Sequence, residues 1–164
     1  MSKLHQKGAP SRQALVLEKL FTSLDRRDHE AMAACYHPDA VFRDIAFTLR
    51  GRKQIHAMWH MISESDLRAS HTIRRIDGRA ATVELVADYT FGSTGRRVHN
   101  VIRSDIHFMD GLIIQQLDSC SALRWGVKAL GPVKGVMSWI VPGTRRKLAM
   151  RMLEKFVGRH PEYA

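Results

Sequence analysis

HTIRRIDGRAATVELVADYTFGSTGRRVHNVIRSDIHFMDGLIIQQLDSCSA, residues 71–122, is the stretch that decides the fold. Apolar and polar residues alternate with period two through four runs: His71–Ile76, Ala81–Phe91, Val98–Phe108 and Leu112–Ala122. That period marks strands with one buried face. Asp77-Gly78, Ser93-Thr94-Gly95 and Asp110-Gly111 separate the runs, and each is hairpin-turn chemistry. Four strands joined by short turns make an antiparallel meander rather than βαβ units.

Upstream the period is 3.6. Leu17, Leu20, Phe21 and Leu24 predict an amphipathic helix from Gln13 to about Arg27. Asp28 can N-cap a second helix, His29–Tyr36, with Pro38 as its stop. Residues 40–45 and 47–50 read as two short strands, Gly51 ends them, and Ile55, Met58, Trp59 and Ile62 mark the buried stripe of a third helix. Downstream, Leu123–Leu130 reads as a short helix stopped by Gly131-Pro132, followed by the small and apolar stretch Val133–Val141. Thr144 is then expected to cap a last helix to Val157, burying Leu148, Met152, Leu153 and Phe156 and showing Arg145, Arg146, Arg151 and Lys155 outward. Helices, then a meander, then a helical tail is an α+β order. Residues 1–12, with Gly8 and Pro10, read as a flexible arm, 13–131 as one domain and 132–164 as a basic amphipathic extension.

Composition narrows the function classes. The net charge of +10 suggests nucleic acid until it is located: seven basic and two acidic residues fall within 134–164, which accounts for half of it. Elsewhere the charge is scattered without interleaved aromatics, so the sequence argues against a nucleic-acid partner. A basic amphipathic tail is also a form that lies on anionic membrane surfaces, although packing on its own domain or on a partner copy is the commoner use. No apolar run reaches the ~18 residues of a membrane span, and the N-terminus lacks the apolar core of a secretory signal, so a cytoplasmic protein is expected. Cys35 and Cys120 show no metal or redox spacing and read as small buried hydrophobes. The histidines offer no HxH or HExxH pattern, so no metal is expected. Without GxGxxG, P-loop or lysine motifs, no cofactor is expected either.

The segments LEKLFTSLDRRDHEAMAACYHPDAVFRD (17–44), GRKQIHAMWHMI (51–62), TGRRVHNVIRSDIHFMDGLI (94–113) and QLDSCSALRWGVKALG (116–131), in this order, resemble the nuclear-transport-factor-2-like superfamily and, within it, the SnoaL-like branch. That superfamily includes ketosteroid isomerases, limonene epoxide hydrolases and polyketide cyclases. The resemblance covers 13–131. It implies a cone-shaped fold, a strongly curved antiparallel sheet wrapped around three helices with a pocket between them, and leaves the reaction open. Asp44 stands where ketosteroid isomerases carry their proton-shuttling aspartate, and Asp118 matches a water-activating aspartate of the epoxide hydrolases. The isomerases' tyrosine and protonated aspartate fall on Leu20 and Ser104, and the hydrolases' partner residues on Leu85 and Ala87. The resemblance does not supply those groups.

Strand parity then selects the pocket face. Asn100, Ile102, Ser104, Ile106 and Phe108 share one side of their strand, Ile114, Gln116, Asp118 and Cys120 one side of the next, and Val83, Leu85, Ala87, Tyr89 and Phe91 one side of the strand before. Asp44 and Asp118 are the expected catalytic carboxyls, with Asp44 the leading base. Leu20, Tyr36, Trp59, His60, Tyr89, Asn100, Ser104, Ile106, Phe108 and Gln116 are the expected ligand contacts. A surface Asp44 paired with Arg43, Arg50 or Arg52, and an Asp118 that only ties strands together, are the structural alternatives. The outer row Glu84, Asp88, Thr90, His99, Val101 and Arg103 is the expected homodimer face. Two function classes follow. One is an aspartate acid–base isomerase, cyclase or hydrolase acting on a small apolar carbonyl or epoxide compound. The other is a non-catalytic domain that binds such a ligand or dimerises.

Overall fold

The computed structural model describes residues 10–92, 94–132 and 142–163. Ser93, the stretch Val133–Val141 and most of the N-terminal arm lie outside these. The chain begins with α1 (Arg12–Arg26), where the Ser11 side chain accepts from the Ala14 amide at 3.1 Å and Leu17, Leu20, Phe21 and Leu24 face the core. Asp28 caps α2 as expected, accepting from the Ala31 amide at 3.0 Å, but α2 (His29–Ala33) is only five residues long.

Two expectations fail here for one reason. Tyr36 does not end α2; it opens β1 (Tyr36–Arg43), and Pro38 sits inside that strand. The β1 ladder jumps from Tyr36↔Ile113 to Val41↔Gln115, so Pro38 occupies the gap in pairing, where its missing N–H costs no ladder bond. Asp44–Phe47 turn the chain into β2 (Thr48–Arg50), and α3 (Arg52–Ser63) buries Ile55, Ala57, Met58 and Trp59.

The meander follows as β3 (Arg68–Asp77), β4 (Ala80–Phe91), β5 (Arg96–Met109) and β6 (Leu112–Ser119). Asp110 (φ 52°) and Gly111 (φ 76°) form the two-residue turn from β5 to β6, both in the left-handed region that such hairpin loops require. The sheet order is β2-β1-β6-β5-β4-β3, and it is curved and open. It is mixed rather than wholly antiparallel, because β1 joins β6 in parallel while the other neighbours run antiparallel. β1 reaches that edge after two helices, so no hairpin constrains its direction.

Burial alternates along β4 and β5 as the sequence implies, with Val83, Leu85, Ala87, Val98, Ser104, Ile106 and Phe108 inside. On β6 a bulge between His107 and Phe108 shifts the parity, so Ile113 rather than Ile114 is buried while Gln116 and Asp118 stay inside. α4 (Ala122–Leu130) packs on β5. The last helix, α5, runs Pro142–Val157, so Thr144 lies within it and not at its cap. Its Leu153 and Phe156 are buried, whereas Leu148 and Met152 are about half exposed (52% and 48%), contrary to the expected buried stripe. No described helix is long and apolar enough to cross a membrane.

Candidate functional site

Between the concave sheet and the helices lies a cavity of about 660 Å³. Its walls are largely hydrocarbon: Phe42 from β1, Phe47 from the turn after it, Trp59 and Ile62 from α3, Leu85 and Ala87 from β4. Leu148, Ala149 and Met152 of α5 complete the lining, so the half-exposed pair faces the cavity rather than the core. The Trp125 Nε1–H donates to the Tyr89 hydroxyl at 2.7 Å, tying α4 to β4 where both border the space. Polar groups are sparse, and Asp44, Asp118, Asn100 and Tyr89 are among them.

Asp118 is the most unusual of these groups. β6 carries it inward opposite Ser104, and it is only 8% exposed. Burial pushes its carboxyl up from 3.8 to about 7, and the nearby Asp44 charge adds to the rise. Ser104 and Gln116 pull the other way. The Gln116 Nε2 donates to Asp118 Oδ1 at 3.0 Å. The Ser104 hydroxyl makes no regular hydrogen bond among the described residues, so its influence is that of a dipole directly across the β5–β6 ladder.

Behind Gln116 the bonding continues. The Tyr36 hydroxyl donates to Gln116 Oε1 at 2.7 Å, and the Trp59 Nε1–H donates to the Tyr36 oxygen at 3.2 Å. Trp59, Tyr36, Gln116 and Asp118 therefore form a buried relay whose donors all point toward the carboxyl, each polarising the next. Burial holds the Tyr36 phenol well above its ordinary value, so it remains a donor.

Asp44 also borders the cavity, half-buried, but one of its oxygens has structural work. Oδ1 accepts from the Ala46 amide at 2.7 Å and from the Phe47 amide, and the Asp44 amide donates to Phe47 O at 3.1 Å. The side chain thus closes the β1–β2 turn in the way Asp commonly does.

Of the expected ligand contacts, Trp59, Tyr89 and Asn100 line the cavity. Leu20, Ile106 and Phe108 lie in the closed core behind it, because their ends of α1 and β5 are filled by side chains packed on one another. Tyr36, Ser104 and Gln116 are fully buried outside the lining; Gln116 and, behind it, Tyr36 are bonded to Asp118, which does line the cavity. His60 points elsewhere: its Nδ1 lies 3.0 Å from the Tyr163 hydroxyl and its ring stacks on His29. Sequence parity missed Met61, Leu148, Ala149 and Met152 as lining, although the amphipathic stripe of α5 was a signal for the last three. Cys35 is buried, and desolvation raises its thiol to about 11, while the half-buried Cys120 borders the cavity.

A model of the SnoaL-like domain matches residues 17–116, well over half of the chain. The chain belongs to the SnoaL-like family. Among solved structures, this SnoaL-like chain is similar to an LEH-like epoxide hydrolase of M. tuberculosis, at 19% identity and TM-score 0.59, over 80% of this chain and 96% of that one. It is also similar to a proposed isomerase of Bacillus subtilis (18%, TM-score 0.63, 74% and 94%) and a proposed polyketide cyclase of Xanthomonas campestris (16%, TM-score 0.63, 72% and 96%). At these identities the likeness is one of fold. No curated protein matches the sequence. The SnoaL-like assignment and the nuclear-transport-factor-2-like architecture agree with the resemblance carried by the sequence segments.

Proposed function

We propose that the chain is a pocket enzyme in which Asp118 exchanges a proton with a small apolar carbonyl or epoxide compound held in the cavity. One observation carries this reading: a carboxyl that titrates at about 7 faces an almost wholly apolar space. Proton transfer is most effective when the catalytic group titrates near the working pH, and here burial, helped by the Asp44 charge, brings a carboxyl into that range. Asp44, expected from the sequence as the leading base, takes the supporting role, because one of its oxygens holds the turn and its charge raises Asp118. Isomerisation, cyclisation and epoxide opening all need such a group.

The test is turnover of a panel of enones, cyclic ketones and epoxides. With Asp118 as base, kcat/KM should rise with pH and level off above an apparent pKa of about 7. Asp118→Asn should lower it by roughly 100- to 10,000-fold, the usual worth of a general base. Asp44→Asn, which keeps an acceptor for the turn amides, should shift the profile to lower pH because a neighbouring negative charge is gone. A second reading rests on Leu20, Leu85 and Ala87, buried hydrocarbon at positions where the related enzymes carry further polar groups. On that reading the cavity binds the same class of compound without converting it. Saturable binding with no turnover across the panel would favour it.

Members of this family bind small molecules and often oligomerise. We propose a homodimer through the outer face of β4 and β5, the row of Glu84, Asp88, Thr90, His99, Val101 and Arg103. Val101 is 49% exposed there, between an Asp88–His99 contact at 2.8 Å and an Arg103–Asp105 pair at 3.0 Å. Light scattering at high micromolar concentration should give twice the chain mass, and Val101→Glu should return it to the monomer value. A monomeric parent refutes this interface.

A further inference from the structure

Four histidines from three distant stretches of chain meet outside the cavity lining. His29 comes from α2, His56 and His60 stand one turn apart on α3, and His160 follows α5. His29 and His60 stack with ring centroids 3.8 Å apart and planes 15° apart, and His60 and His160 meet at 4.8 Å. His29 Nδ1 lies 2.9 Å from His56 Nε2, and Glu30 Oε1 lies 3.6 Å from the same His56 nitrogen. One ligand atom each from His29, Glu30 and His56 can be chosen so that all three lie within 4.8 Å of one another.

We infer that His29, His56 and Glu30 bind a divalent transition-metal ion of the zinc class, with the remaining coordination position open to water. A tetrahedral zinc with ligand bonds of about 2.0–2.1 Å sets its ligand atoms roughly 3.4 Å apart. The distances of 2.9 and 3.6 Å bracket that edge; the 2.9 Å contact is a hydrogen bond between the rings, which coordination would replace by releasing its proton and turning both nitrogens toward the ion. Two imidazoles and one carboxylate favour zinc over the hard cations, which prefer all-oxygen shells. His60 acts as a positioning residue: Tyr163 holds its Nδ1 at 3.0 Å, and its ring fixes the plane of His29. His60, His160 and Glu162 form a second set within 4.8 Å. In that set, however, His60 Nδ1 is engaged by the Tyr163 hydroxyl, which is not a member of the set.

The test uses the full chain, stripped with a chelator and titrated with Zn²⁺ against a chromogenic competitor, then with Co²⁺ followed by visible absorbance. Expected are one equivalent of tightly bound Zn²⁺, a tetrahedral Co²⁺ spectrum and a Zn²⁺-dependent rise in melting temperature. His29→Ala and His56→Ala should each weaken binding by at least about 100-fold, the upper end of what even an outer-shell partner is worth. His160→Ala should stay near the parent. Glu30 is a largely exposed side chain, so Glu30→Gln keeps the fold and should still weaken binding should a histidine variant fail to fold. The inference is overturned by Zn²⁺ binding no tighter than the competitor, by an octahedral Co²⁺ spectrum, or by loss in His160→Ala with Glu30→Gln unaffected.

Discussion

Asp118→Asn is expected to make the protein more stable at pH 8 and to leave it nearly unchanged at pH 4. The carboxyl titrates at about 7 in the folded chain against an ordinary value of 3.8. Between those values the folded state keeps a proton that the unfolded state has released. Stability therefore falls as pH rises from about 4 to about 7, and the full cost stands above that range. At about 1.4 kcal/mol per tenfold change in proton affinity, the cost is on the order of 4 kcal/mol. Asparagine has no proton to lose, and its oxygen can still accept from Gln116. Urea unfolding of both proteins at pH 4, 6 and 8 should show curves that coincide at the acid end and separate progressively above it. Parallel curves would mean that Asp118 is ionised as easily as a surface carboxyl, and the proposed proton transfer would lose its basis. A protein that gains stability on losing this group is keeping it at a cost, as functional sites often do.

Deleting residues 143–164 is expected to cost several kcal/mol and to open one wall of the cavity. We propose that the C-terminal extension folds as one unit with the domain before it. Leu153 and Phe156 are buried against the rest of the chain. Losing a buried Phe side chain alone costs about 3–5 kcal/mol, which for a chain of this size is roughly 10 °C in Tm. The competing use of α5 is adsorption to a membrane. Arg146, Lys147, Arg151 and Lys155 are exposed, and Leu148 and Met152 are half so, which is the composition of an interfacial helix. On that alternative the deletion would leave the melting temperature where it was and abolish binding to anionic vesicles. Calorimetry of the shortened chain, paired with vesicle flotation, separates the two.

The meander was legible because one sheet face is buried and the other wet, so period two survives in β4 and β5 almost residue by residue. α1 and α3 were legible for the same reason at period 3.6. What escaped was non-local. Tyr36 fits the stripe of a short helix, and only pairing with Ile113, far along the chain, makes it a strand residue. The parallel β1–β6 contact and the bulge that buries Ile113 also depend on partners that no local pattern names. The position of Asp118 followed from parity. Its relay did not, because Trp59, Tyr36 and Gln116 come from three elements and the Tyr36–Gln116 bond spans 80 residues. The histidine cluster was hidden in the same way: α2, α3 and the C-terminal segment each contribute ligand types at spacings that mean nothing alone.

The two carboxyls in one apolar space also set a charge filter that opposes the molecule's own field. A net charge of +10 draws anions toward the surface from a distance. At the cavity floor the sign reverses: Asp44 already disfavours ionisation of Asp118 next to it, and an entering anion would meet the same repulsion with little water to screen it. Acidic metabolites should thus crowd the exterior without entering. Neutral guests should enter at any pH, and above about 7, where Asp118 ionises, cationic guests such as amines should gain a second carboxylate beside Asp44.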